Sequence, residues 1–587
     1  MVTEQRERTA SFGATETAAP PSVRIDALSV RTTVRTRKDK RERVLLDDVS
    51  LAIQPGELVA IVGGSGAGKT TLLNALAGVK APTGGRVSYN GQDLYANLAT
   101  FRSALGYVPQ DDIVHSELTV ERTLQYAARL RLPPETTRAE RDAIVRAVIE
   151  ALALTAQAGQ RISTLSGGQR KRTSIGVELL TKPGVLFLDE PTSGLDPATG
   201  RTLLRMLRRL AEDGVTVVLT THAPQDIGLC DRVIVLASGG SPAFAGPPKE
   251  ALDYFEVESF EDVYERVASG APVAWEPSFG GDADATVFAV TAAVPKSKTP
   301  PATVSPRRPR RRTVGALRQW AVLSERTFET LLRNRLTLAI LVGSPLMVIT
   351  MFAVLFRPGA FDPTNPSPSA TLMILFWVAF APFFFGLTYG LLMICTEVPI
   401  FRRERLVNLE IAPYVVAKVT VLFPVLAAVV ILMVCVLRIF DRLPAGGLEL
   451  YGPLTVTLLL EGLAAIALGL LASAAVTRPE QATLALPMIS FPQVLFAGAI
   501  LPLPAMAGAG RGIAWFMTDK WGFEALGASV NLNELFANGA SPLGPPLLAE
   551  YGTTFSGPVT ESWLMLAASA AVFFALTCWV LGRRHAS

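Results

Sequence analysis

Gly63-Gly64-Ser65-Gly66-Ala67-Gly68-Lys69-Thr70-Thr71 decides the fold of the first half of this 587-residue chain. The apolar run Leu58–Val62 before it reads as a buried strand, and the residues after it read as a helix. The glycines let successive backbone N–H groups converge on phosphate oxygens, and the helix adds its positive N-terminal end. Lys69 supplies a point charge for β and γ phosphates, and Thr70 supplies a hydroxyl ligand for Mg²⁺. A plain glycine-rich turn is the alternative. A strand, a lysine and a threonine in register argue against it.

Two more stretches extend the same chemistry. Val185-Leu-Phe-Leu-Asp189-Glu190 is a strand ending in two carboxylates. Asp189 suits Mg²⁺, and Glu190 is placed to polarise an attacking water as general base. Leu165-Ser166-Gly167-Gly168-Gln169-Arg170 opens a helix, so its hydroxyl and backbone N–H groups form a second anion site. Its bland alternative is a serine helix cap.

Together these motifs resemble the nucleotide-binding domain of ATP-binding-cassette (ABC) proteins. The resemblance implies an α/β P-loop NTPase fold that binds ATP and Mg²⁺. It also implies three further roles. Gln110, in Tyr107-Val-Pro-Gln-Asp-Asp112, would be the Q-loop residue and a metal partner. Asp196, in Pro191-Thr-Ser-Gly-Leu-Asp196, would be the D-loop acid. His222 would be the switch histidine. In that family two cassettes meet head to tail, so Ser166, Gly167, Gly168 and Gln169 would act on ATP held by a second chain. One cassette per chain implies a dimer of half-transporters, in the simplest case a homodimer. The family's upstream adenine-stacking aromatic has no counterpart, because residues 13–88 contain no Phe, Tyr or Trp.

The rest of the chain is different in kind. Hydrophobic residues make up 49% and charged residues 18%, against roughly 25% charged in a soluble domain. That excludes a wholly soluble enzyme and a largely disordered protein. A net charge of +4 gives no reason to expect a nucleic-acid partner. Four cysteines exclude a disulfide-dense secreted scaffold. Residues 1–22 lack the apolar core of a signal peptide and read as a disordered tail. Residues 23–268 read as the cassette and 269–313 as a linker. Val294–Arg312 holds five prolines, seven basic residues and no acid, with Thr299, Thr303 and Ser305 as phosphorylation candidates.

Residues 314–335 read as a basic amphipathic helix, its stripe formed by Leu317, Trp320, Ala321, Ser324, Phe328, Leu331 and Leu332. An all-α membrane domain of six transmembrane helices is expected over 336–587. The spans fall at about 336–356, 371–395, 415–437, 451–477, 482–506 and 562–582, each long enough to cross roughly 30 Å of hydrocarbon. Arg307–Arg312, Arg402, Arg403, Arg405, Lys418, Arg583 and Arg584 set the orientation. Both termini are then cytoplasmic in a multi-pass plasma-membrane protein, with 507–561 as the longest outside segment. Arg438 and Arg442 run against this bias. Glu461 is the one charge within the 451–477 span. It reads equally as a substrate or relay group and as a paired structural acid.

Lys171-Arg-Thr-Ser-Ile-Gly-Val-Glu-Leu-Leu180 resembles the G subfamily of ABC proteins. So does the segment Glu397–Lys418, whose Phe401, Arg402, Arg403 and Glu404 are similar to its coupling loop. Trp521-Gly-Phe-Glu-Ala-Leu526 and Asn533-Glu-Leu-Phe536 resemble its segment after span five. The subfamily resemblance implies ATP-driven export or flipping of a hydrophobic or amphipathic compound, with membrane lipid as a partner. The alternative is a membrane-anchored ATPase that transmits a mechanical or regulatory signal without moving a substrate.

Overall fold

The computed structural model describes residues 23–35, 42–268, 314–362, 367–538 and 541–584. The tail 1–22 and the linker 269–313, with Arg307–Arg312 and the three phosphorylation candidates, lie outside the described residues. The chain divides into two compact units, Met1–Val314 and Gly315–Ser587.

The first unit is built on two sheets. Strands β1 (Ile25–Arg35), β2 (Glu42–Ile53), β4 (Gly84–Tyr89) and β5 (Gln92–Asp93) form an antiparallel sheet in the order β2-β1-β4-β5. The larger sheet has the order β10-β9-β3-β8-β7-β6. Its members are β3 (Leu58–Gly63), β6 (Leu105–Val108), β7 (Val185–Leu188), β8 (Thr216–Thr220), β9 (Arg232–Leu236) and β10 (Pro242–Gly246). All pairs in it are parallel except β10 with β9. Strand periodicity divides its faces between two cores. Leu58, Ala60 and Val62 of β3 face a core shared with Leu203, Leu204 and Leu207. Val59 and Ile61 face the other, with Ile25, Leu51 and Leu72. Three of the six strands, β3, β7 and β8, end where the phosphate loop, the Asp189–Glu190 pair and the His222 segment begin. Ligand sites in parallel sheets gather at those carboxyl ends.

The second unit is helical. Among the described residues, five helices are long and apolar enough to cross a membrane: Arg335–Leu355, Pro368–Leu391, Ile411–Ile439, Leu448–Ala475 and Val559–Arg583. The expected span at 482–506 takes another form. Its helix runs only from Pro479 to Phe496, with Pro487 and Pro492 inside it. Each proline removes a helical hydrogen bond. The chain then leaves the helix at Ala497, where Gly498 adopts a φ of +91°.

The segment 507–561 contains, among the described residues, four short helices, Gly508–Trp515, Thr518–Ser529, Leu532–Asn538 and Gly544–Tyr551. The second of them is buried along much of its length. Phe523 packs edge-on against Phe376 of helix 368–391 and against Phe555. The Trp521–Leu526 stretch is thus part of the unit's interior, its apolar residues driving it there.

Helices 368–391 and 448–475 cross closely through glycine. A Cβ on Gly386 would meet the backbone of Gly462 and Ile466, and one on Gly390 the backbone of Ile466 and Leu470. Ala465 and Gly469 form the facing pair, the small-residue contact that lets membrane helices approach. Arg442, the exception to the charge bias, has a structural use. It donates to the carbonyls of Phe440 and Ala353, each at 2.8 Å, closing the C-terminal end of helix 335–355.

Candidate functional site: a phosphate loop and a shared carboxylate

The phosphate loop follows β3 directly. Gly63, Gly66 and Gly68 have φ values of +147°, +79° and +95°, a conformation L side chains rarely adopt. A Cβ on Gly63 would also run into the Leu236 carbonyl of β9. Ser65 and Gly64 are exposed, and Ala67 is buried against the sheet. Lys69 opens helix Lys69–Leu76 and donates to the carbonyls of Gly63 and Gly64 at 2.9 and 3.1 Å. Burial lowers its pKa, opposed by the carboxylates of Glu190 and Asp189. Thr70 and Thr71 follow on the same first turn. The Thr70 hydroxyl lies 3.1 Å from Asp189 Oδ1.

Glu190 is the meeting point. Its Oε2 accepts a hydrogen bond from Gln110 Nε2 at 3.0 Å and lies 3.4 Å from His222 Nδ1. Two residues distant in sequence therefore meet at one carboxylate oxygen. Glu190 takes a φ of +45°, an uncommon conformation for a residue with a side chain. Thr220 was not visible as a site residue in the sequence, yet it anchors both acids. Its hydroxyl donates to Asp189 Oδ1 at 2.7 Å and accepts the Glu190 N–H at 2.8 Å.

Thr70 and Asp189 place hard oxygen donors together beside the loop, with the Gln110 side chain one carboxylate away. That donor set fits Mg²⁺, which takes oxygen ligands and retains waters. The loop's glycine-lined backbone fits a polyphosphate.

The signature segment has both of its readings at once. Ser166 caps helix Gly167–Leu179 in a reciprocal box with Gln169. The serine is nevertheless exposed, at the positive end of a 13-residue helix. Gly168 packs on Thr199, where a Cβ would clash with its methyl group. Asp196 caps the helix Pro197–Glu212 that carries Thr199. Hydrogen bonds from Thr199 and Ala198 hold the Asp196 carboxyl below its usual pKa. A second unforeseen link joins Lys171 to the Q-loop: it donates to the Gln110 carbonyl at 2.6 Å and pairs with Asp112 at 3.2 Å.

Comparison with known proteins agrees with this geometry. The family described as ABC transporter matches residues 46–193, and the family described as ABC-2 type transporter matches residues 318–530. The chain belongs to the ABC transporters. The ABC transporter ATP-binding/permease protein Rv1747 of Mycobacterium tuberculosis is 34% identical over 85% of this chain and 57% of its own length. ABC transporter G family member 21 of Arabidopsis thaliana is 43% identical over 38% of this chain and 33% of its own length. The broad substrate specificity transporter ABCG2 of Rattus norvegicus is 42% identical over 36% of this chain and 33% of its own length. The chain thus spans a little over half of the mycobacterial relative and a third of the other two. Cassette first and membrane domain second is the order of G-type half-transporters.

In the ABC-2 unit, the residues resembling a coupling loop form helix Val398–Arg405. The Phe401 side chain is 1% exposed and its ring centre lies 4.6 Å from that of Tyr414. Arg403 is buried as well, and Arg402 alone of the four named residues is exposed. Glu404 pairs with Arg326 of helix Ala316–Arg333. Arg326 lies off the apolar stripe read from the sequence of this helix. The structure instead buries it beside Gln319, Val322 and Thr327, and leaves Leu317, Phe328 and Leu332 exposed. Glu397 accepts from Lys418 at 2.5 Å and from the Tyr414 hydroxyl at 3.2 Å. Three helices are therefore joined by two buried ion pairs.

Glu461 is 0% exposed in helix 448–475. Its carboxyl packs against Gly522, which lacks the Cβ that would collide with it, and it neighbours the equally buried Asp519. The sequence offered no means of pairing these two acids.

Proposed function

We propose that this chain is a half-transporter that hydrolyses ATP, with Mg²⁺, to export or flip a hydrophobic or amphipathic compound. The observation that carries the reading is the shared Glu190 oxygen, contacted by Gln110 and His222 beside Thr70 and Asp189, in a chain that continues into an ABC-2 type membrane domain. Glu190 would orient and deprotonate the attacking water. His222 would hold the Glu190 carboxylate and the terminal phosphate group in register. Lys69 and the loop N–H groups would hold the β and γ phosphates. Mg²⁺, held by Thr70, Asp189 and Gln110, would neutralise charge developing on the phosphate oxygens.

One cassette per chain supports a dimer in which Ser166–Gln169 face the partner's nucleotide. The similarity to the rat broad substrate specificity transporter supports an apolar and loosely selective cargo. The apolar helices and their flanking arginines support a plasma-membrane location with cytoplasmic termini.

The test is reconstitution in lipid vesicles with a fluorescent amphipathic lipid. Movement between leaflets should require ATP and disappear with Lys69→Ala. Hydrolysis that proceeds while no lipid or amphiphile moves would overturn the transport reading.

A further inference from the structure

One carboxylate oxygen ties together two segments that carry different catalytic groups. Asp226 lies in the short helix Pro224–Ile227 and is 2% exposed. Its Oδ2 accepts the Thr192 hydroxyl at 2.6 Å and the Thr221 hydroxyl at 2.7 Å. Thr192 stands two residues after Glu190, in the stretch that leads to Asp196. Thr221 immediately precedes His222. The Thr221 hydroxyl also accepts the Ala223 N–H at 3.0 Å, and its own N–H donates to the Ile61 carbonyl of β3 at 3.1 Å.

We propose that Asp226 is a positioning residue for hydrolysis, clamping the Glu190–Asp196 stretch to the His222 turn. This rests on the reading of Glu190 as the general base. The two hydroxyl bonds are short and run to an ionisable oxygen, the stronger class of hydrogen bond. A buried acid without such donors is costly, so the arrangement is specific rather than incidental. The strained conformation at Glu190 gives the clamp a purpose. A backbone at φ +45° persists only where its surroundings hold it. Thr220 holds the Glu190 N–H from β8. Asp226 holds the chain two residues later, through Thr192. With both in place, Glu190 Oε2 stays 3.4 Å from His222 Nδ1. Releasing the second hold frees the Glu190 side chain and the His222 turn to drift apart, while the phosphate loop is untouched.

Neither motif matching nor the resemblance singles out this residue. Asp226 lies four positions beyond His222.

The full-length chain in lipid nanodiscs provides the test, with ATP turnover and ATP affinity measured separately. Asp226→Ala should lower kcat by about 10- to 100-fold, the size expected from small misplacement of a catalytic group. KM should stay within about threefold, because binding groups are intact. Asp226→Asn keeps an oxygen acceptor in place and should recover most of the turnover. If Asp226→Ala fails to fold, the triple variant Asp226→Leu/Thr192→Val/Thr221→Val removes donors and acceptor together and preserves packing. It should show the same loss of kcat. Wild-type turnover in either variant overturns the proposal, as does an Asn variant no better than Ala, or a KM that rises in step with the loss. Glu190→Gln is run in parallel. If it turns over normally the general-base reading itself fails, whereas an inactive Glu190→Gln beside a normal Asp226→Ala removes only the positioning role.

Discussion

The cassette and the membrane unit hold their charged groups in opposite ways. In the cassette the reacting groups stand at the mouths of strands, with the His222 side chain 60% exposed. In the membrane unit several charged groups are interior. Arg326, Lys418, Glu461 and Asp519 are all buried, and their neighbours come from other helices. The first arrangement is built to meet a ligand and change with it. The second is built to fix helices against one another. Substitutions should therefore separate chemistry from stability in the cassette and fail to do so in the membrane unit.

The largest effect expected is on chemistry alone. Glu190→Gln should reduce ATP hydrolysis by about 10²- to 10⁴-fold, the usual range for a general acid–base group. Thermal stability and nucleotide binding should stay near wild type. Turnover and nucleotide binding measured on one preparation decide it. Substantial residual turnover places the base elsewhere, and a collapse of stability would erase the contrast between the units.

Next is a loss that should appear as instability. Glu404→Gln leaves Arg326 buried without its carboxylate, a change that costs about 3–5 kcal/mol when one partner of a buried pair is removed. Thermal or denaturant unfolding in micelles should register it. Replacing both partners by apolar residues should recover much of the stability. If Glu404→Gln is as stable as wild type and loses only transport, the pair belongs with the chemistry and the comparison breaks.

The two units also differed in how far the sequence could be read. The phosphate loop, the Asp189–Glu190 strand end and the signature each fit within nine residues or fewer. Each needs only one strand-to-loop or loop-to-helix junction, so local pattern suffices to find it. Thr220 and Asp226 escaped because threonine and aspartate beside a turn have many ordinary uses. Their roles depend on which strands lie next to each other. In the membrane half, apolar runs announced helices but not their partners. Phe401 illustrates this: its place among arginines does not name its partner, and only the fold brings its ring against Tyr414. Helix Pro479–Phe496 failed for another reason. Apolar composition continued past its end, while prolines and Gly498 broke the backbone.

A smaller change probes the acid in the middle of the unit. Gly522→Ala places a methyl group where the Glu461 carboxyl now sits. Overpacking of this kind typically costs about 1–3 kcal/mol. Glu461→Ala in the same chain should relieve it, so the double variant should be more stable than the two single losses added together predict. Additive losses would show that the two groups do not touch, and would return Glu461 to an unplaced role.

The smallest stability effect belongs to Ser166, and it bears on the comparison most directly. Its hydroxyl caps helix Gly167–Leu179, and its exposed position would also present it to a partner's nucleotide. Ser166→Ala removes both functions and should cost about 1 kcal/mol, the ordinary value of an N-cap. Ser166→Asp keeps a strong cap, so the unfolding midpoint should move little, by a few tenths of a kcal/mol at most. It also puts a negative charge where phosphate would bind, so hydrolysis should fall at least as far as with alanine. Unfolding and turnover measured on the two variants separate the roles. If aspartate restores turnover along with stability, the serine is only a cap, and the cassette would then resemble the membrane unit, with a conspicuous polar group serving structure alone.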